Sequence, residues 1–218
     1  MTNFLITHWI ELFAAATGLL YVYLEIKQNK AMWIVGFVSS LVFVYVFFEA
    51  KIYANMGMYV YYVLISVYGY WRWNGEWRME NGEWGSEVRG TGYEVKGTGY
   101  EAHHEAHRAP CTVYRAPILT YIVISLILSA TLGLILKHFT DSPIPYYDGF
   151  AAGFSAVATW MLTQKIIQHW YFWIGINIFC VPLYASQGLY PTAILFFVYF
   201  IMSIIGLQQW KKDLQKTR

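Results

Sequence analysis

The residues best suited to chemistry in this chain are Trp170, Trp173, Asn177 and Tyr184, at relative positions 0, 3, 7 and 14. On a helix that spacing puts all four on one face. An amide inside an apolar run is costly unless it finds a partner. Two indoles beside it add stacking faces tipped with an N–H. The chemistry is recognition: a flat aromatic ligand with polar groups fits, and a cationic one gains ~0.5–2 kcal/mol per good ring contact. The same residues also suit helix packing, since Asn pairs across helices and Trp anchors at membrane interfaces. Both readings stand at this point.

A second pattern, Tyr-x-x-x-Ser-x-x-Gly-x-x-x-Trp, occurs twice, as Tyr62, Ser66, Gly69, Trp73 and as Tyr199, Ser203, Gly206, Trp210. Tyr62, Ser66 and Tyr199 are candidates for lining a site. Gly69 and Gly206 read as packing points, because small residues let helices approach closely. Pro182 interrupts an apolar run and predicts a kink that serves either gating or plain structure. What is missing narrows the reading further. Glu11, Glu25, Glu49 and Asp148 fall toward the ends of apolar runs, and ion-coupled sites need ionisable groups well inside. No Gly-rich phosphate loop and no activated nucleophile is visible. His103, His104 and His107 form HHEAH, which lacks the HExxH spacing of a metal site, and Cys111 and Cys180 show no ligand spacing. The expectation is a non-enzyme without metal or cofactor that moves a small solute passively.

The elements that must position these residues follow from composition. Of 218 residues, 57% are hydrophobic and 13% charged, against about 25% charged in soluble domains. The partner is a lipid bilayer, and a net charge of +2 gives no field for nucleic acid. Apolar runs near 4–26, 31–49, 56–73, 116–137, 149–164, 170–186 and 190–209 predict seven transmembrane helices. The first run lacks a positively charged start and carries Glu11, which argues against a cleaved leader.

Residues 11–73 align without a gap on 148–210, at an offset of 137. Glu11 meets Asp148, Phe13-Ala14-Ala15 meets Phe150-Ala151-Ala152, Trp33 meets Trp170 and Tyr53 meets Tyr190. Only ten of the 63 pairs are identical, so the weight falls on the long register and the coincident apolar runs. Repeats of this kind mark secondary transporters. With the N-terminus outside, 13 of the 15 basic residues fall on the cytoplasmic side, as positive charge prefers. Three spans per copy with one span between them make the copies parallel. The fold class is therefore an all-α membrane protein of two three-helix bundles joined by an inverting helix. The first bundle covers 1–73, the linking helix 116–137, and the second bundle with a cytoplasmic tail 138–218. The copies differ where Ser40 stands opposite Asn177 and Gly36 opposite Trp173. Ser40 and Asn177 are expected to face one cavity with two unlike walls.

Residues 74–115 form a polar, Gly-rich stretch in which Arg89-Gly-Thr-Gly-Tyr-Glu-Val95 is followed by Lys96-Gly-Thr-Gly-Tyr-Glu-Ala102. It buries too little apolar area to offset ordering and reads as a cytoplasmic loop.

The stretch Trp170-Tyr-Phe-Trp-Ile-Gly-Ile-Asn177, with Pro182-Leu-Tyr-Ala-Ser-Gln-Gly-Leu-Tyr-Pro-Thr-Ala193 and Gly206-Leu-Gln-Gln-Trp210, resembles the PnuC family of nicotinamide riboside transporters. Trp33-x-x-Gly36, Ile52-Tyr53-Ala-Asn55 and Tyr68-Gly-Tyr-Trp-Arg-Trp73 resemble the same family. Gln187 stands where relatives often have Lys, and Thr159 where they often have Gln. The resemblance implies a multi-pass bacterial inner-membrane carrier with a SWEET-like 3+1+3 fold. Its substrate would be nicotinamide riboside, a vitamin B3 precursor for NAD biosynthesis. It would enter by facilitated diffusion and be trapped by a cytosolic kinase. Related members carry thiamine or riboflavin, and a membrane-embedded receptor or enzyme is the reading from another class. A homo-oligomer is compatible with this architecture.

Overall fold

The computed structural model describes residues 2–49, 53–80, 118–140 and 144–216. Among them are seven helices: α1 (Thr2–Ile26), α2 (Ala31–Glu49), α3 (Tyr53–Glu80), α4 (Ile118–Phe139), α5 (Pro145–Thr163), α6 (His169–Ser186) and α7 (Tyr190–Lys216). Each coincides with an apolar run in the sequence. α3 extends beyond its run to Glu80, into the stretch read as loop, because Glu76, Trp77, Arg78, Met79 and Glu80 are compatible with helix and no proline intervenes. The tandem unit at 89–102, the histidines His103, His104 and His107, and Cys111 lie outside the described residues.

α2, α4 and α7 contain stretches long and apolar enough to cross a membrane on length and composition alone (Ala31–Glu49, Ile118–Phe139 and Tyr190–Gln215). Large apolar side chains cover the outer surface. Leu64 is 65% exposed, Ile127 63% and Phe139 82%, an arrangement that suits lipid and not water.

Six helices form a ring. α1 packs on α2 and α2 on α3; α5 packs on α6 and α6 on α7; the bundles close on each other through α1 with α7 and α3 with α5. α4 stands outside this ring, against α5. Their contact is built from small residues. A Cβ at Gly149 would collide with the backbone of Gly133, and one at Gly153 with Ser129. That close approach is the small-residue packing expected between helices in lipid. Beside it, Tyr121, Ile122 and Leu128 of α4 pack against the buried cluster of Val157, Ala158, Met161, Ile166 and Phe172.

The repeat persists in the backbone. Gln28 and Lys165, 137 positions apart, share a left-handed φ of 52°. In the turn after α1, Gln28 N–H donates to Glu25 O and Asn29 N–H to Leu24 O; after α5, Lys165 N–H donates to Leu162 O and Ile166 N–H to Met161 O. It persists in side chains as well. Trp33 lies against Gly69 and Trp170 against Gly206. Trp33 meets Trp73 edge-on at 5.7 Å, and Trp170 meets Trp210 edge-on at 5.9 Å.

Candidate ligand-binding cavity

Between the two bundles lies a cavity of about 430 Å³. Small or polar residues at every helix crossing leave it open: Gly18 and Thr17 on α1, Gly36, Ser39 and Ser40 on α2, Ser66 on α3, Ser155 and Thr159 on α5, and Ser203 on α7. Trp170, Trp173, Asn177, Ser40, Tyr62, Ser66, Tyr199 and Tyr184 all line it. The structure thus brings all eight sequence candidates to one wall or another of a single space.

α6 presents the aromatic wall. Trp170 is 1% exposed and held rigidly, because its ring fills the notch at Gly206. Trp173 sits one turn further along. The Nε1 atoms of Trp170 and Trp173 are both buried without a hydrogen-bond partner. Asn177 donates from Nδ2 to Ser203 Oγ at 3.2 Å, and Ser203 in turn donates to Tyr199 O at 2.7 Å. The amide therefore joins α6 to α7 and also faces the cavity, so the packing and recognition readings coexist. Fixing Nδ2 on Ser203 leaves Oδ1 as an acceptor for another donor.

The opposite wall repeats this design with different sizes. Ser66 Oγ donates to Tyr62 O at 2.7 Å, as Ser203 does to Tyr199. Ser40 takes the place of Asn177. Gly36 takes the place of Trp173, and the volume is refilled from α1: a Cβ at Gly36 would lie 2.9 Å from the Tyr21 ring and 3.1 Å from Ser66 Oγ. Tyr21 corresponds in turn to Ala158. The large side chain is thus on α1 in the first bundle and on α6 in the second.

Aromatic stacks flank the far end symmetrically. Tyr59 stacks on Phe47 at 5.3 Å, and Phe196 on Tyr184 at 5.0 Å. Tyr199 packs its hydroxyl against Gly18, where no side chain could fit. α6 runs unbroken from His169 to Ser186 with Pro182 inside it, so the proline lies two residues before the cavity residue Tyr184 without ending the helix.

The other end of the cavity is sealed. Trp33, Trp73, Trp170 and Trp210 form one buried cluster with Ile26, Met32, Leu162, Ile167 and Leu207. Hydrogen bonds cross between bundles here. Trp73 Nε1 donates to Thr163 O at 3.2 Å, Trp210 Nε1 to Glu25 O at 3.1 Å, and Gln28 Nε2 to Asp213 Oδ2 at 3.1 Å. Trp73 and Trp210 thus help to close this end of the cavity.

One ionisable group of the cavity wall escaped the sequence reading. Glu25 ends α1, as expected, yet it is 2% exposed, lines the cavity and pairs with His169 at 3.1 Å. His169 lies just before the middle apolar run of the second bundle, 170–186, where it reads as a boundary residue. The signal available was the asymmetry of the repeat, since Leu162 and Met32 occupy the equivalent positions. Among the described residues no group of three or more His, Cys, Asp or Glu could hold a metal.

Residues 8–212 match the sequence model of a family described as Nicotinamide mononucleotide transporter. The chain is 22% identical over 202 residues to the nicotinamide riboside transporter PnuC of Escherichia coli (strain K12), covering 93% of this chain and 84% of that protein. The PnuC protein of Shigella flexneri matches equally, at 22% over 202 residues. A solved structure described as the vitamin B3 transporter PnuC superposes with a TM-score of 0.68 at 21% identity, over 98% of this chain and 85% of that one.

Proposed function

This chain belongs to the nicotinamide mononucleotide transporter family, and from that premise we propose that it imports nicotinamide riboside. A transporter of this family sits in the membrane as a multi-pass protein and needs no catalytic group. The family description names the mononucleotide and the relatives are named for the riboside, two ligands that differ by one phosphate. The observation that favours the riboside is the charge of the cavity wall. Among the described residues it carries no Lys or Arg, and the acidic residue lining it is Glu25. A phosphate placed there would meet no Lys or Arg among the described lining residues, whereas a pyridinium ring gains from both indoles.

In this reading Trp170 and Trp173 hold the charged ring. Asn177, Ser40 and Ser66 take the carboxamide and ribose hydroxyls, and Tyr62, Tyr184 and Tyr199 shape the remaining wall. Movement is facilitated diffusion, without ATP, and a cytosolic kinase keeps the internal concentration low by phosphorylating the substrate. The N-terminus is outside and the tail cytoplasmic, in the bacterial inner membrane, so the tryptophan seal closes the inner side.

Calorimetric titration of purified protein tests the substrate. Nicotinamide riboside is expected to bind and the mononucleotide to bind at least tenfold more weakly. Thiamine or riboflavin binding in place of the riboside would overturn the assignment. Saturable uptake of labelled riboside by protein-containing vesicles, without ATP or an imposed gradient, tests transport; binding without flux would favour a receptor.

A further inference from the structure

Glu25 and His169 form a pair that the repeat does not contain twice. The pair spans the two bundles, from the last turn of α1 to the first residue of α6, with side chains 2% and 0% exposed. Glu25 Oε1 lies 3.1 Å from His169 Nε2, and Glu25 is also the acidic residue of the cavity wall.

The other imidazole nitrogen fixes the proton count. His169 Nδ1 lies 2.6 Å from Ile166 O. A carbonyl oxygen only accepts, so Nδ1 carries the hydrogen. Neutral imidazole then has a bare Nε2, an acceptor facing a carboxyl oxygen. That contact closes only with a proton in it, either as imidazolium with carboxylate or as imidazole with carboxylic acid. In both forms the pair is neutral as a unit and holds one dissociable proton.

A neutral pair at the wall offers a cation little. Without that proton the same pair carries one negative charge, in a site where attraction is screened much less than in water. We propose that the Glu25–His169 pair is a proton-linked counter-charge: when a cationic ligand binds, the pair releases one proton to solvent and Glu25 takes the cation as its partner in place of His169. One N–H or O–H bond breaks, one positive charge leaves as another arrives, and the site stays neutral. The proton returns when the ligand departs. Because the pair also ties α1 to α6, occupancy loosens a link between bundles at the sealed end.

The surroundings keep the pair in place. The imidazole centroid lies 4.7 Å from the Trp170 ring and 4.8 Å from that of Trp210. Charged or titratable groups on the adjoining elements include Tyr21 and Tyr23 on α1 with Lys27 after it, Tyr59, Tyr61, Tyr62 and Arg72 on α3, Lys165 before α6, Tyr171, Cys180 and Tyr184 on α6, and Tyr199, Lys211, Lys212 and Asp213 on α7. Lys165 places its ammonium 4.9 Å over the Trp73 ring, and Asp213 accepts from Gln28 and Gln209.

The inference rests on a cationic ligand, as proposed above. Titration of nicotinamide riboside into the purified protein, at one pH in buffers of different ionisation enthalpy, counts the protons released. Close to one proton per ligand is expected at acid pH, where the pair holds its proton, falling to none at alkaline pH. Over the acid range the affinity should rise about tenfold per pH unit. Glu25→Gln keeps a donor for Nε2 and is expected to bind more weakly, with no proton release and no pH dependence. Riboside binding without buffer-dependent heat overturns the exchange and leaves the substrate assignment intact. If thiamine binds in place of the riboside, the substrate assignment falls. The same proton count with thiamine, also a cation, then decides the exchange.

Discussion

At the scale of single residues, side chains that pack helices together also line the proposed site. Asn177 is the clearest. Its amide reaches Ser203 while lining the cavity, so Asn177→Leu removes the proposed ligand contact and one interhelical hydrogen bond. Hydrogen bonds of this kind contribute about 0.5–1.5 kcal/mol net. We expect riboside affinity to fall about tenfold while thermal unfolding shifts only slightly; unchanged calorimetric affinity in folded protein would remove Asn177 from the site. Trp173→Ala should weaken binding of a cationic ring more than of an uncharged one, because the lost contact is largely cation–π. Competition between riboside and an uncharged nicotinamide analogue measures that difference. These residues were legible in the sequence because an amide and two indoles at helical spacing stand out in an apolar run. Glu25 and His169 were not, because their importance comes from meeting across 144 residues.

At the scale of elements, glycine and tryptophan interlock. The position at Gly206 is filled by the Trp170 ring, and a Cβ at Gly69 would lie 2.6 Å from the Trp33 ring. Gly206→Ala must displace a buried indole, and overpacking of this kind costs about 1–3 kcal/mol. Its melting temperature should drop, whereas Gly175→Ala, where a Cβ meets nothing within 4 Å, should leave it unchanged or raised. Equal melting temperatures for the two variants would refute the interlock. The sequence indicated Gly69 and Gly206 as packing points but not their partners. The turns after α1 and α5 were also illegible. Gln28 and Lys165 sit at φ 52°, a conformation that side chains other than Gly, Asn and Asp seldom adopt. Tertiary contacts hold them there: Gln28 through Asp213 and Lys165 over Trp73.

At the scale of the whole molecule, two bundles enclose a cavity sealed at one end by bonds between them. If transport proceeds by rocking of one bundle against the other, a covalent link across the seal must stop it and a link within a bundle must not. In a background with Cys111→Ala and Cys180→Ala, paired Gln28→Cys and Asp213→Cys replace a cross-bundle hydrogen bond of 3.1 Å. A reducible bifunctional thiol cross-linker across that pair should abolish vesicle uptake, and reduction should restore it. Lys30→Cys with Asn74→Cys replaces a bond of 2.9 Å inside the first bundle, and uptake should survive the same cross-linker. Arrest by both links would refute rigid-bundle motion. The sequence by itself determined the helices, their number and the two-fold repeat, because these follow from apolar run length and register, which are local and additive along the chain. It also marked the polar and aromatic residues that line the cavity. The tertiary structure alone decided which large side chain fills each half of the cavity, Tyr21 from α1 or Trp173 from α6, and which ionisable groups meet. Those outcomes depend on volume and charge shared between distant segments, and no periodicity in one segment records what its neighbour across the bundle supplies.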